Sequence, residues 1–135
     1  MTRIYLASRY SRYPELQQYA KELEALGHTV TSRWIRGDHE IRTDGQAETD
    51  AWQVVWAQED LQDLQAAECV ISFTEPPQDV PGRSRGGRHV ETGVALALNK
   101  MLVIIGYREN VFHWLPQVAF FETWDAYVET LRSQG

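Results

Sequence analysis

Short apolar runs alternate along the chain with longer segments that carry the spacing of amphipathic helices. Three of these runs are bounded by polar or turn residues and predict strands buried on both faces, at 4–7, 69–73 and 101–105. Two weaker runs predict further strands, at 28–32 and 118–121. Apolar residues at helical spacing predict four helices, at 14–26, 48–67, 89–99 and 123–132. Gly27 is expected to end the first helix and Thr123 to cap the last.

The regular alternation of strand and helix implies right-handed crossovers between parallel strands. It predicts an α/β fold, a three-layer doubly wound domain of flavodoxin or Rossmann type with a five-stranded, mainly parallel sheet. With 135 residues the chain is expected to form one domain, spanning residues 1–135. Such sheets bind ligands at the carboxyl ends of their strands. The segments expected to build a site are therefore 8–13, 35–47, 74–88 and 106–113, and segment 36–46 is expected to be a mobile flap or an oligomer contact.

The net charge of the chain limits the classes of partner that it is expected to bind. A formal net charge of -6 and a pI near 5.2 disfavour binding to nucleic-acid polymers or to an anionic membrane surface. A small-molecule substrate fits better. The single cysteine, Cys69, excludes an intramolecular disulfide. The chain contains neither the apolar core of a signal peptide nor a membrane-spanning run of ~20 apolar residues, so a soluble, cytoplasmic protein is expected.

One acid, Glu91, lies where a glycine-containing turn opens onto a helix whose continuation, 94–98, is apolar. It has two interpretations. It compensates the helix dipole, an effect of ~0.3 to 1 kcal/mol, or it faces a cleft and carries chemistry. The positive helix terminus and the nearby arginines are expected to keep this carboxyl ionised, which suits a nucleophile better than a general acid.

A second acid, Asp60, lies on one row of its helix with Trp52 and Trp56, because the three residues are spaced by four. The plain alternative is an acid on a half-solvated helix face. Two carboxylates near one cleft, without a His or Cys cluster at metal-ligand spacing, indicate metal-free acid and nucleophile chemistry on an acetal-like carbon. An N-glycosidic bond fits that chemistry, and neither a cofactor nor a metal is expected.

The loop at 76–88 is long, begins with two prolines and carries three arginines. Loops of this length are usually functional or disordered. Its glycines would let backbone N–H groups approach a phosphate, and its arginines would pair with one. The pattern is neither a phosphate-binding P-loop nor a dinucleotide fingerprint, and a solvated basic loop is the alternative.

Three motifs together resemble the nucleoside 2-deoxyribosyltransferase superfamily, which includes base-exchanging transferases and nucleoside 5'-monophosphate N-glycosidases. They are Ile4-Tyr5-Leu6-Ala7-Ser8, Asp60-Leu61 followed by Ala66-Ala67-Glu68-Cys69-Val70-Ile71, and Gly87-Arg88-His89-Val90-Glu91-Thr92-Gly93-Val94-Ala95. They occur in the family's order and span nearly the whole chain. The resemblance implies that Glu91 is the nucleophile that forms a glycosyl ester at C1'. It implies that Asp60 orients the sugar or handles the proton of the leaving base, and that Tyr5 positions nucleophile or sugar.

The resemblance also implies a homodimer or larger homo-oligomer, because a polar residue of a neighbouring subunit completes family sites. Asn110 is the first candidate for that residue and His113 the second. The loop after the first strand keeps hydroxyls and adds arginines but lacks the family's glycine. The remaining candidates for contacts to the substrate or its phosphate are Ser8, Arg9, Arg12, Arg83, Gly87 and Arg88.

The leading hypothesis is therefore an enzyme that cleaves the N-glycosidic bond of a (deoxy)nucleoside or its 5'-monophosphate. A nucleotide-binding or sensing module without turnover is the alternative that the arginine loop favours. A structural interaction protein that uses its tryptophan-rich helix is a third. The sequence does not separate hydrolysis from transfer to a second base, nor ribose from 2'-deoxyribose.

Overall fold

The computed structural model describes residues 2–37, 46–76 and 87–134. Within these ranges, five parallel strands form one sheet in the order β2-β1-β3-β4-β5. The strands are β1 (Arg3–Ala7), β2 (Thr29–Val30), β3 (Cys69–Phe73), β4 (Met101–Ile105) and β5 (Val118–Phe121). The α-helices are α1 (Tyr13–Ala25), α2 (Gln46–Ala66), α3 (Gly87–Ala97) and α4 (Trp124–Gln134). The described part of the chain also contains 3-10 helices at Tyr10–Arg12, Arg33–Arg36 and Val111–Trp114.

The sheet is covered by helices on both faces. A Tyr19 ring of α1 stacks at 4.4 Å on Trp124 of α4 and at 5.4 Å on Phe73 of β3, so α1 and α4 share one face. On the other face α2 packs on β1 and α3, and α3 packs on β1, β3 and β4. The predicted three-layer, doubly wound α/β fold is confirmed, and the described sheet is entirely parallel.

The central strand β3 shows why a continuous apolar run predicts a strand in this fold. All five of its residues are buried, since helices cover both of its faces. In its register with β1, Tyr5 lies beside Val70 and Ala7 beside Ser72, so these side chains share the face that α3 covers. That register brings the first strand under the helix that carries Glu91.

The predicted ends of helices α1 and α4 are observed, whereas the predicted end of β2 is not. Gly27 follows α1 with φ of 92°, a left-handed conformation that glycine adopts without strain. The Thr123 hydroxyl accepts a hydrogen bond of 3.1 Å from the backbone N–H of Ala126 and caps α4. The strand predicted at 28–32 is too long, because only Thr29–Val30 is strand before the chain enters the helix Arg33–Arg36.

Two predicted segments fall largely outside the described residues: 38–45 of the predicted flap and 77–86 of the arginine loop, including Arg83. Among the helices that are described, none is both long and apolar enough to cross a bilayer.

Candidate active site

The contact at the centre of the candidate site joins β1 to α3. Tyr5 is fully buried, and its side chain projects from β1 toward α3. Its hydroxyl donates a hydrogen bond to the carboxylate of Glu91, 86 residues further along the chain. The oxygen of Glu91 is thus held by a side chain whose own orientation is fixed by core packing.

Glu91 lies further inside its helix than expected. Because α3 begins at Gly87, two residues before the predicted start, Glu91 is in the second turn, and the first turn carries no acid. Favourable interaction with the helix dipole is confined to the first turn. Compensation of the dipole therefore does not account for a half-buried carboxyl at this position.

The protonation expected for Glu91 is wrong. Burial raises the pKa of Glu91 to about 8, and the charge of Asp60 adds to the rise, while the hydrogen bond from Tyr5 opposes it. An ionised carboxyl was expected because the positive helix terminus and nearby arginines stabilise a negative charge. The loss of hydration beside the sheet is the larger effect.

Asp60 lies on α2 and faces the same region. Its pKa is raised to about 7, mainly by burial and to a lesser degree by the charges of Asp63 and Glu59, whereas Arg33 acts to lower it. Its Oδ1 atom is buried without a hydrogen-bond partner. The Trp52 and Trp56 rings stack on the preceding turns with centroids 6.1 Å apart, as expected for residues on one helix row. Burial therefore shifts both acids of the site toward their protonated forms, and the pKa of each lies close to neutral pH.

The arginines after β1 have acidic partners. Arg12 binds both carboxylate oxygens of Glu15, at 2.7 and 3.1 Å. The carboxylate of Glu75 lies 3.5 Å from Arg12 and 3.8 Å from Arg9. The Ser8 hydroxyl donates to the carbonyl of Arg9 at 2.8 Å. Arg9 and Arg12 line a cavity of about 540 Å³ at the carboxyl ends of β3 and β4, and their contact with a phosphate stays a prediction.

The predicted residues near α3 and the β4–β5 connection form a second group. Arg88 is buried and forms an ion pair with Glu109. His113 is buried, and its Nδ1 accepts a hydrogen bond of 3.0 Å from the backbone N–H of Glu109. Asn110 caps the helix Val111–Trp114 through a 3.0 Å bond from the N–H of Phe112 to its Oδ1. Each of the three predicted residues is thus engaged within its own chain.

Gly87 is exposed at the start of α3, and a Cβ atom there would meet nothing within 4 Å. The backbone at this position is therefore open to a ligand. A role in substrate binding stays a prediction.

Comparisons with known proteins extend the picture. No protein-family model matches the sequence, and no curated protein matches it either. Among solved structures, the chain is similar to a 2-deoxyribosyltransferase from the psychrotolerant bacterium Bacillus psychrosaccharolyticus. The TM-score is 0.68 at 22% identity, over 96% of this chain and 95% of that one. This chain has the nucleoside 2-deoxyribosyltransferase fold.

Two further structures share that fold. The Clostridium botulinum CMP N-glycosidase BcmB matches with a TM-score of 0.58 at 18% identity, over 97% of this chain and 98% of that one. A conserved protein from Enterococcus faecalis V583 matches with the same TM-score at 14% identity, over 100% and 99% of the two chains. The family resemblance predicted from the motifs is confirmed at the level of the fold.

Two residues beside the candidate site were missed by sequence reasoning. The Trp34 indole N–H donates to the carbonyl of Leu6 at 2.7 Å, and the Ser32 hydroxyl accepts from the N–H of Leu6 at 3.1 Å. Together they fix the end of β1 just beyond Tyr5. Their position close to the carboxyl end of the predicted strand was the available signal, because that edge of a parallel sheet carries the site.

Glu109, the partner of Arg88, was also missed. Its sequence signal was weak, since an acid in a polar connection is ordinary. Within the three described ranges, no three or more His, Cys, Asp or Glu side chains are grouped as metal ligands would be.

Proposed function

We propose that this protein cleaves the N-glycosidic bond of a (deoxy)nucleoside or a nucleoside 5'-monophosphate through a glycosyl–enzyme intermediate on Glu91. The sugar then passes to water or to another base. The observation that carries the proposal is the hydrogen bond from the buried Tyr5 hydroxyl to Glu91, with Asp60 close enough to raise the pKa of that carboxyl. The fold shared with a 2-deoxyribosyltransferase and a CMP N-glycosidase supports it.

The first step needs one carboxylate and one carboxylic acid. A Glu91 oxygen attacks C1', the bond from C1' to the base nitrogen breaks, and its electron pair leaves with the base. Asp60 delivers a proton to that base and becomes a carboxylate. Burial raises the pKa of Asp60 to about 7 and that of Glu91 to about 8, so the pair retains a proton near neutral pH. The step uses the form of the pair in which Asp60 holds this proton and Glu91 is ionised.

The second step releases the sugar. Water or the nitrogen of an acceptor base attacks C1', and the ester bond to Glu91 breaks. Asp60 accepts the proton of the attacking group, which restores both carboxyls to their starting states. Tyr5 holds the Glu91 oxygen in both steps through the same hydrogen bond, so that the carboxylate is oriented before the substrate arrives.

The test is incubation with a panel of nucleosides and 5'-monophosphates, with and without an acceptor base, followed by chromatography of the products. We expect a free base from at least one substrate and no turnover with Glu91→Ala. Intact-mass analysis should detect a sugar adduct on the protein of native sequence and no adduct on the Glu91→Ala variant. Glu129→Gln, on the exposed surface of α4, is the matched control and should keep full activity. Absence of base release from every substrate would overturn the proposal, as would equal turnover by Glu91→Ala.

We also propose that the protein works as a single domain within a homo-oligomer. Next to Asn110, the side chains of Val111, Phe112 and Trp114 are 76%, 59% and 67% exposed, an unusual density of exposed apolar surface. Such a surface is suited to a subunit interface, at which Asn110 or His113 would approach a neighbouring site. Light scattering of the native protein and of Phe112→Glu tests this, since a charge in the interface should dissociate the oligomer.

A further inference from the structure

The helix that carries Asp60 also carries Asp63, which forms an ion pair with Arg33. The proposed chemistry does not use this ion pair. Asp63, one turn later on α2, is 6% exposed. Its Oδ1 accepts a 2.9 Å hydrogen bond from Nε of Arg33, and its Oδ2 accepts one of 2.9 Å from the backbone N–H of the same residue. Glu59 lies 3.7 Å from the other side of this guanidinium. One arginine thus serves two carboxylates that flank Asp60 in sequence.

The ion pair between Arg33 and Asp63 also links helix α2 to the segment that follows β2. Arg33 lies three residues after the end of β2, at the carboxyl edge of the sheet. The Thr31 hydroxyl donates to the carbonyl of Asp63 at 2.9 Å, so that side chain and main chain of this residue are both held from the end of β2. This double attachment fixes the turn of α2 that presents Asp60.

Asp60 itself has little direct support. Its buried Oδ1 has no hydrogen-bond partner. Its charge state is therefore governed by burial and by neighbouring charges rather than by a bond of its own. Those neighbours are Glu59 and Asp63 on α2, Arg33 after β2, Glu91 on α3 and the neutral Tyr5 hydroxyl on β1.

We propose that Asp63 and Arg33 are positioning residues that orient Asp60 and govern whether it holds the proton for the leaving base. The inference rests on the proposed function for the use of that proton. The two carboxylates of Glu59 and Asp63 near the one cation of Arg33 leave a net negative charge around Asp60, which favours its protonated form. The two members of the pair act on Asp60 in opposite directions, because one is an anion and the other a cation.

This opposition defines the experiment. Asp63→Asn removes one of the two anions beside Arg33, so the titration midpoint of Asp60 should fall by about one pH unit. Arg33→Gln removes the cation and should raise the midpoint. If Asp60 must be protonated for turnover, the alkaline limb of the kcat/KM profile should move to lower pH in Asp63→Asn and to higher pH in Arg33→Gln. A purely structural pair would lower activity in both variants without displacing the limb in opposite directions.

The midpoint of the Asp60 carboxyl is measured directly by carbon-detected NMR titration of the native protein and each variant, with kcat/KM profiles recorded in parallel. Glu59→Gln is the milder variant if Asp63→Asn does not fold, and it should lower the midpoint by less. Glu24→Gln, an exposed change on α1, is the matched control and should leave the midpoint in place.

Unchanged midpoints, or shifts of the same sign in the Asp63 and Arg33 variants, would overturn the inference. Opposite shifts in a protein that turns over no nucleoside or nucleotide would support the pair's control of Asp60 and overturn the proposed function instead.

Discussion

The buried hydroxyl of Tyr5 donates a hydrogen bond to the carboxylate of Glu91. This contact joins β1 of the sheet to the helix that covers it, and it places a neutral donor against an acid whose pKa is raised by burial. The hydrogen bond partly opposes that rise, so it supports the ionised form on which nucleophilic attack depends.

Tyr5→Phe should therefore leave the fold in place and weaken the chemistry. Without the hydroxyl, the pKa of Glu91 should rise further and its orientation should loosen. We expect kcat to fall by about 10- to 100-fold, with the acidic limb of the kcat profile displaced to higher pH. Steady-state kinetics as a function of pH check this. Tyr127→Phe, a buried tyrosine of α4 on the opposite face, is the control, and an identical loss in both variants would contradict the assignment.

The raised pKa of Glu91 also predicts how stability depends on pH. The carboxyl has a pKa of about 4.5 when unfolded and about 8 when folded. Its contribution to stability is complete below the unfolded value and is lost as the pH rises through the folded value. Glu91→Gln should thus match the native protein in acid and exceed it at alkaline pH, by about 2 kcal/mol once partial exposure is allowed for.

Denaturant unfolding at one pH on each side of this window measures the difference. Glu129→Gln, an exposed glutamate, should give the same small effect at both pH values. If Glu91→Gln stabilised the protein equally at both, a role for burial of the charged form would be wrong.

The ion pair of Arg88 with Glu109 predicts a stability effect at a residue first considered for phosphate contact. Arg88 is 5% exposed, and its removal would leave the half-buried Glu109 without its cation. Arg88→Met should cost about 3 kcal/mol of unfolding free energy. Arg88→Met combined with Glu109→Gln should cost less than the sum of the two single changes.

Thermal and denaturant unfolding measure these energies. A different result would favour phosphate recognition: unchanged stability of Arg88→Met together with a raised KM that is confined to 5'-monophosphates.

Two glycines should respond to alanine with opposite signs. Gly106 has φ of 118°, and a Cβ there would lie 3.0 Å from the Thr74 hydroxyl and 3.2 Å from its carbonyl oxygen. Gly106→Ala should therefore destabilise the protein by more than about 1 kcal/mol. Gly93 lies inside α3, where a Cβ would meet nothing within 4 Å.

Gly93→Ala should accordingly stabilise the helix by about 0.5 to 1 kcal/mol. Differential scanning calorimetry of both variants checks the pair. Destabilisation by Gly93→Ala would show that the space beside this residue is occupied in the native protein.

Much of the fold was predictable because burial imposes period and length on each element. The run at 69–73 is a strand with those same bounds, since a strand covered on both faces must be apolar throughout. The edge strand β2 was predicted too long, because its threonine-rich sequence does not mark where pairing stops. The 3-10 helix Arg33–Arg36, which carries Trp34 and Arg33, was not predicted, because so short a turn has no period to detect.

The sequence by itself determined the order of strands and helices, the single apolar core and, through its motifs, the two acids and the tyrosine to examine. Only the tertiary structure decided which side chains meet. Tyr5 and Glu91 are 86 residues apart, and Arg88 and Glu109 are 21 apart, distances across which no local pattern operates. The structure also reversed the expected protonation of Glu91. Helix ends and arginines are visible in a sequence, whereas loss of hydration depends on what packs around the carboxyl after folding.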